Sequence, residues 1–167
     1  VEAGNPTSNP KDLEFFQRVG QMRLENAKLV AFGSTCHKGC DPQEDTYVNA
    51  LLSAQTRAVA IFGKSWDFHV TDIIRTTLEE NLRMIRETIR YAASRDREVI
   101  FDAEHFFDGY KNHPEYAMQT LAAAREGGAS CLVLCDTNGG CMPGEIRRIV
   151  AAVKEKFPDV SIGIHCH

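Results

Sequence analysis

No apolar stretch in this sequence approaches the roughly 18–20 residues that a membrane-spanning helix requires, and no charged-then-apolar leader opens it. A membrane partner is therefore not expected, and a cytoplasmic location is. Basic runs are missing too: none is longer than the Arg147–Arg148 pair, and 23 acidic side chains outnumber 19 basic ones for a formal charge of −4. A face that neutralises many phosphates normally tips this balance the other way, so nucleic acid is not an expected partner. Without any Gly-x-Gly-x-x-Gly, a dinucleotide cofactor has no support. Gly63-Lys64-Ser65 follows an apolar run, but a phosphate loop needs another glycine five positions before Gly63, where Ala58 stands. A nucleoside triphosphate site is excluded on that ground.

What is there is ordinary for one soluble globular domain: 167 residues, 43% apolar and 25% charged. Among the six cysteines, Cys131 and Cys135 flank Leu132-Val133-Leu134 and read as small buried hydrophobes. Cys36 and Cys40 bracket His37, Lys38 and Gly39, yet no second Cys/His pair at finger spacing follows, so they read as unpaired loop thiols in a reduced chain. The chain starts without methionine and stops at His167 directly after an apolar run. A truncated piece is the expectation.

Short apolar runs recur at Leu29–Phe32, Ala58–Phe62, Val99–Phe101, Cys131–Leu134 and Val160–Ile164, each the pattern of a buried strand. Segments of helical period lie between them. The clearest places Leu78, Leu82, Ile85, Ile89 and Ala92 on one face and Glu79, Glu80, Arg83, Arg86 and Arg90 elsewhere, an amphipathic helix. Pro10, Pro114 and Pro143 stand where a first helical turn tolerates proline, and Gly127-Gly128 marks a helix end. Strand ends near Glu2, Phe32, Phe62, Asp102, Cys135 and His165 step by roughly 30 residues, the βα repeat of a (β/α)₈ barrel. Parallel crossovers leave two architectures, an open doubly wound sheet or a barrel, and six strand ends cannot close eight.

The polar residues are not spread evenly. Directly after the apolar runs come Glu2, Gly33-Ser34-Thr35, Gly63-Lys64-Ser65, Asp102 with Glu104-His105, Asp136-Thr137-Asn138-Gly139-Gly140 and His165-Cys166-His167. Strand C-terminal ends are where barrel and open-sheet enzymes place their sites, and a purely structural domain has no reason to load that end. In His165-Cys166-His167, residues two apart on a strand share a face, so both imidazoles can reach one divalent cation. Two ligands bind weakly, and a carboxylate from another strand end is expected to complete the set. Asp102 and Glu104 share a direction if the strand continues, and with His105 they can supply a general acid and base or hold a ligand. Asp136-Thr137-Asn138 offers a carboxylate, a hydroxyl and an amide beside glycines that let backbone approach a ligand, though a bare turn would read the same way. Ser65 and His69 are further candidates for that end of the sheet, with a plain helix-start role as the alternative.

With these residues in place, the chain resembles the acyl-CoA-condensing metallolyase barrels, the superfamily of isopropylmalate, homocitrate and citramalate synthases and hydroxymethylglutaryl-CoA lyase, and most of all its citramalate synthase branch. The resemblance rests on Val30–Thr35, Ile61–His69, Val99–Tyr110, Leu132–Gly140 and Gly163–His167, and runs essentially end to end. It implies a Claisen-type condensation in which acetyl-CoA, as co-substrate, loses a methyl proton and attacks the ketone of an α-keto acid held on a divalent metal, manganese, zinc or magnesium. By motif, His165 and His167 would be metal ligands, Glu104 the catalytic carboxylate, Thr137 a substrate contact, His69 a pocket residue and Glu2 a glutamate at the end of the second barrel strand. It also implies a homodimer in the full-length protein and a place in isoleucine or leucine biosynthesis.

Two departures accompany the resemblance, one being that the sequence ends just before the Asn that usually follows His-x-His. The family's first strand carries an Asp-Arg-Asp/Glu motif that supplies a third metal ligand and a guanidinium for the keto acid's carboxylate, and nothing from Val1 to His167 matches it. The expected fold is thus an α/β piece of a (β/α)₈ TIM barrel, residues 1–167 covering about strands 2 to 7, without the first strand, the eighth strand and a regulatory C-terminal region. Alternatives within the superfamily are an isopropylmalate or homocitrate synthase or a lyase. One of another class is a non-catalytic βα domain that binds a small acid or a protein partner.

Overall fold

The computed structural model describes every residue except Gln21 and Arg23. Five strands alternate with helices: α1 (Pro10–Val19), β1 (Val30–Ser34), α2 (Thr46–Ser53), β2 (Ala58–Lys64), a π-helical segment (His69–Ile74), α3 (Leu78–Ser94), β3 (Glu98–Glu104), α4 (Phe106–Asn112), α5 (Pro114–Gly127), β4 (Cys131–Asp136), α6 (Pro143–Lys156) and β5 (Ser161–Cys166). All strand pairs are parallel and the spatial order is the chain order, β1-β2-β3-β4-β5. A doubly wound sheet reverses its order at a switch point. The uninterrupted order found here is that of a barrel wall.

Side-chain alternation along the strands separates two faces. On one, Ala31, Val59, Phe101 and Leu132 join Leu51, Ile85, Ile89, Leu121 and Ile149 of the helices in the main core. On the other, Val30, Ala58 and Ala60 pack with Phe32 and Ile100, a cluster made of strand residues alone. This is the inward face of a barrel, where side chains of adjacent strands form layers. Register builds those layers: Phe32 lies level with Ala60, Ile100, Cys131 and Ser161, and two residues on, Ser34 lies level with Phe62, Asp102, Val133 and Gly163. Small Ala58 and Ala60 leave the lower layers tight, while polar groups collect in the layers above.

Helix boundaries follow local chemistry. The Asn9 side chain accepts hydrogen bonds from the Lys11 and Asp12 amides ahead of Pro10, and Gly128 ends α5 at φ +103°, a conformation open to glycine. The amphipathic helix predicted from Leu78 onward is α3, with Ile85, Ile89 and Ala92 fully buried. Burying each isoleucine contributes roughly 1.5–3 kcal/mol. The wall spacing between β2 and β3 is longer than elsewhere because the π-helical segment precedes α3.

Some expectations change. The strand expected at Glu2 is a single parallel bridge, Glu2 to Val30, with the Ala3 amide donating to the Val30 carbonyl and Phe32 to Gly4. Ser65 lies buried behind the sheet, where the Thr120 hydroxyl donates to its Oγ at 2.9 Å; the alternation after β2 turns it toward α5 and away from the inward face. All six cysteines are free and Cys36 and Cys40 lie in the loop after β1, as expected, with the Cys36 thiol buried against Val48 and Met84. Among the described residues, no helix is long and apolar enough to cross a membrane.

Candidate active site

At the C-terminal ends of the strands a cavity of about 410 Å³ is lined by Glu2, Gly4, Phe32, Phe62, Asp102, Glu104, Cys135, Thr137, His165 and His167. Every strand contributes to it, because the upper inward layer of each is followed by a polar residue. Five of the six residues singled out in the sequence, Glu2, Glu104, Thr137, His165 and His167, therefore come together across more than 160 residues of chain. His69 does not line this cavity. It opens the π-helical segment, stacks on Trp66 at 5.0 Å between ring centroids and sits 4.2 Å from the His105 ring.

Glu104 ends β3 level with Lys64 at the end of β2, and the Lys64 ammonium contacts its Oε2 directly. Both are about three-quarters buried, so the ion pair fixes the carboxylate in one orientation at the cavity wall. Lys64 was not legible as a partner of Glu104, being 40 residues distant; the available signal was its place directly after the β2 alternation.

The Asp136–Gly140 loop carries Thr137 and braces the end of β5. Asp136, 2% exposed, accepts from the Gly140 and Cys141 amides at 3.3 and 3.0 Å and so closes the loop on itself. Gly139 has φ +64°, and a Cβ there would meet the His167 carbonyl oxygen at 2.7 Å. That close approach seats His167 against the loop. Its ring stacks with that of His165, centroids 4.8 Å apart and planes 23° from parallel, so the two imidazoles do share one face.

Thr137 is fixed by a second tie: its Oγ1 accepts from the His105 amide at 2.9 Å. His105 adopts φ +56°, uncommon for a side-chain-bearing residue, at the start of α4. Its ring and that of His69 both bury Nδ1 without a hydrogen-bond partner. Burial first, and the His105 imidazole next, pulls the His69 imidazole below the usual histidine range.

Asp102 sits one alternation below Glu104, 5% exposed, with Oδ1 buried and no hydrogen-bond partner. Burial, and then the charge of Glu2, pushes its carboxyl up to about 7. A carboxylate deprived of water and of donors gives up its charge.

A divalent cation fits the nitrogen donors present, since imidazole suits zinc and iron, with manganese or magnesium calling for added carboxylate oxygens. Among the described residues no group of three His, Cys, Asp or Glu side chains is placed to hold a metal ion. His165 and His167 alone offer two imidazoles, fewer than the three or more protein ligands that a catalytic centre uses.

Consecutive parallel strands, helices behind them and a cavity at their C-terminal ends define a βα-barrel domain of the kind that houses enzyme sites. Residues 1–167 match the HMGL-like family along their whole length, and the chain belongs to that family. It is 58% identical over 167 residues to the (R)-citramalate synthase of Aquifex aeolicus and 47% identical to that of Geobacter sulfurreducens, covering all of this chain and 32% and 31% of theirs. The chain thus spans about a third of the length of these curated relatives. Homocitrate synthase of Sulfolobus acidocaldarius is 29% identical. In fold, the hydroxymethylglutaryl-CoA lyase of Pseudomonas aeruginosa superposes with a TM-score of 0.76 at 19% identity, over all of this chain and 55% of that one.

Proposed function

We propose that the polypeptide carrying these residues is a citramalate-synthase-like acyltransferase that condenses acetyl-CoA with an α-keto acid, pyruvate first, and releases CoA by hydrolysis. One observation carries this reading: Glu2, Glu104, Thr137, His165 and His167 line a single cavity at the strand ends. The identities to (R)-citramalate synthases support it. In balance, a methyl proton leaves acetyl-CoA, the resulting carbanion forms a bond to the keto carbon, the keto oxygen gains a proton, and water cleaves the thioester to a carboxylate and a thiol.

His165 and His167 would hold the divalent cation, with a further carboxylate from outside these strands. Such an ion supplies Lewis-acid polarisation of the ketone. Glu104, oriented by Lys64, is placed to move a proton at the reacting carbons. Thr137 Oγ1, already bound by the His105 amide, retains its own O–H to donate to a substrate oxygen. Phe32 and Phe62, stacked at 5.1 Å, form an apolar wall that excludes water from a small keto acid. His69 is a residue of the adjoining histidine pair that backs Thr137. A homodimer, a cytoplasmic location and a role in branched-chain amino-acid biosynthesis belong to the same reading.

A panel of keto acids offered with acetyl-CoA and manganese, scored by thiol release, tests it on the whole polypeptide. Turnover highest with pyruvate supports the proposal. Preference for a longer keto acid moves the assignment to an isopropylmalate or homocitrate synthase, and release with none of them favours a non-catalytic small-acid-binding domain.

A further inference from the structure

Thr137 lines the cavity on a loop, residues 136–141, that is gripped by α4 and the residue before it. Thr137 Oγ1 accepts from the His105 amide at 2.9 Å, the Asn138 side-chain amide donates to Asp108 Oδ2 at 2.9 Å, and the Lys111 ammonium donates to Cys141 Sγ at 3.4 Å. His105, Asp108 and Lys111 are spaced by three, so they lie along one side of the helix. The helix is itself fixed: Phe106 and Phe107 are fully buried, and a Cβ at Gly109 would stand 2.1 Å from the Ser65 carbonyl oxygen. Between Phe107 and Gly109, Asp108 turns the other way and meets the loop.

Asp136 closes the turn through the Gly140 and Cys141 amides, which ties its two ends together. Thr137 and Asn138, the residues between, take the partners described above from His105 and α4. His105 sits at φ +56°, a conformation that costs a side-chain-bearing residue energy, with its N–H on Thr137. Its imidazole Nδ1 lies 3.5 Å from the same Asp108 Oδ2 that Asn138 uses, without a hydrogen bond between them. One carboxylate oxygen thus stands between the residue that holds Thr137 and the residue that follows it.

We propose that Asp108 is a positioning residue for Thr137: by accepting from Asn138 it fixes the backbone beside the threonine, so that the Thr137 hydroxyl directs its O–H at the keto acid. This rests on the condensing activity proposed above and adds to it a support outside the cavity. A hydroxyl has a single hydrogen to aim, and the His105 amide already uses its oxygen as an acceptor. A small shift of the loop therefore misdirects that hydrogen, and rigid supports of this kind keep contacting groups in register with a ligand. An acid in the first turn of a helix is favourable on its own account. The direction of the Asp108 carboxylate toward Asn138 is what assigns it the further role.

The test is a double-mutant cycle in the whole polypeptide loaded with manganese, read as kcat/KM for pyruvate by thiol release, with the KM for acetyl-CoA as the control. Asp108→Ala should lower kcat/KM for pyruvate about tenfold and leave the KM for acetyl-CoA unchanged, and Asn138→Ala should do the same. Asp108→Asn keeps a carbonyl acceptor for Asn138 without the charge and should recover most of the loss. In the Thr137→Ala background Asp108→Ala should cost nothing more, because the group it positions is gone. Thermal unfolding checks that the variants fold; should Asp108→Ala not fold, Asn138→Ala at its exposed position completes the same cycle. Activity of the alanine variants within about twofold of the parent overturns the assignment, as do a full further loss in the Thr137→Ala background and a failure of Asp108→Asn to recover. Thr137→Ala as active as the parent removes the contact through which Asp108 acts and overturns the assignment while leaving the condensation in place. A parent that releases no thiol with any keto acid overturns the proposed function, and the assignment with it.

Discussion

Lys64 and Glu104 stand level with each other across β2 and β3, and the ammonium of one contacts the carboxylate of the other at the wall of the cavity. The pairing is a product of register. In a parallel pair, each residue that ends one strand faces its neighbour's end, so two chain positions separated by 40 residues become a unit.

From that pairing follows the first expectation. Glu104→Gln removes the carboxylate but keeps its shape, and should lower kcat by about 10²–10⁴-fold with little change in KM for pyruvate. Lys64→Met leaves Glu104 without its counter-charge and should cost about tenfold or more, with Lys64→Arg recovering much of the loss because a guanidinium restores the ion pair. Steady-state kinetics on the three variants decides this. Equal activity for methionine and arginine at position 64 would contradict the positioning role.

The stacked imidazoles carry the second expectation. His165→Ala and His167→Ala each remove one of the two stacked imidazoles proposed to hold the cation, and stoichiometric manganese or zinc uptake should be abolished in either. Equilibrium dialysis with metal analysis reads the result. Uptake at one ion per chain in both variants would move the metal elsewhere.

Gly139 supports a third. Its φ of +64° and the 2.7 Å approach of the His167 carbonyl to a Cβ position leave no room for a side chain. Gly139→Ala should destabilise the fold by about 1–2 kcal/mol and weaken metal uptake by displacing His167. Gly140→Ala, where a Cβ meets nothing within 4 Å, is the control. Calorimetric unfolding and metal titration of the pair check both halves.

Stability should depend on pH through Asp102. Its folded carboxyl is pushed up to about 7 from an ordinary value of 3.8, so between these values the folded state holds a proton that the unfolded state has lost. The stability that Asp102 contributes is therefore fully present below about pH 4, falls as pH rises and is gone above the folded value; between pH 5 and pH 8.5 the loss is about 2–3 kcal/mol. Asp102→Asn removes this contribution. Urea unfolding at the two pH values should show the variant gaining on the parent at the higher one, and parallel curves would contradict the assignment.

Much of this was legible in the order of residues. Alternating apolar runs announced the strands, Pro10, Pro114 and Pro143 marked three helix starts, and His165-Cys166-His167 read as two imidazoles on one face. These are local properties, set by the pitch of a strand or the first turn of a helix. Partners across strands were not legible. Nothing near Lys64 in sequence indicates Glu104, and Asp102 is indistinguishable from a paired aspartate until its surroundings are known to lack donors. Ser65 and His69 follow β2 where the chain leaves the sheet, and there alternation no longer tells which way a side chain points; one turned to α5 and the other to His105. Glu2 kept its place in the cavity with only a single bridge, because the Val30, Ala3 and Phe32 amides, donating to the Val1, Val30 and Gly4 carbonyls, tie residues 1–4 along β1.

The proposed condensation makes a new carbon–carbon bond between acetyl-CoA and pyruvate, and following the product tests it. Incubating the whole polypeptide and manganese with methyl-labelled [¹³C]acetyl-CoA and pyruvate, then recording carbon NMR, should show the label moving into a methylene joined to a tertiary alcohol, with one equivalent of free thiol. Label recovered only as acetate, or thiol released at the same rate without pyruvate, would contradict the account.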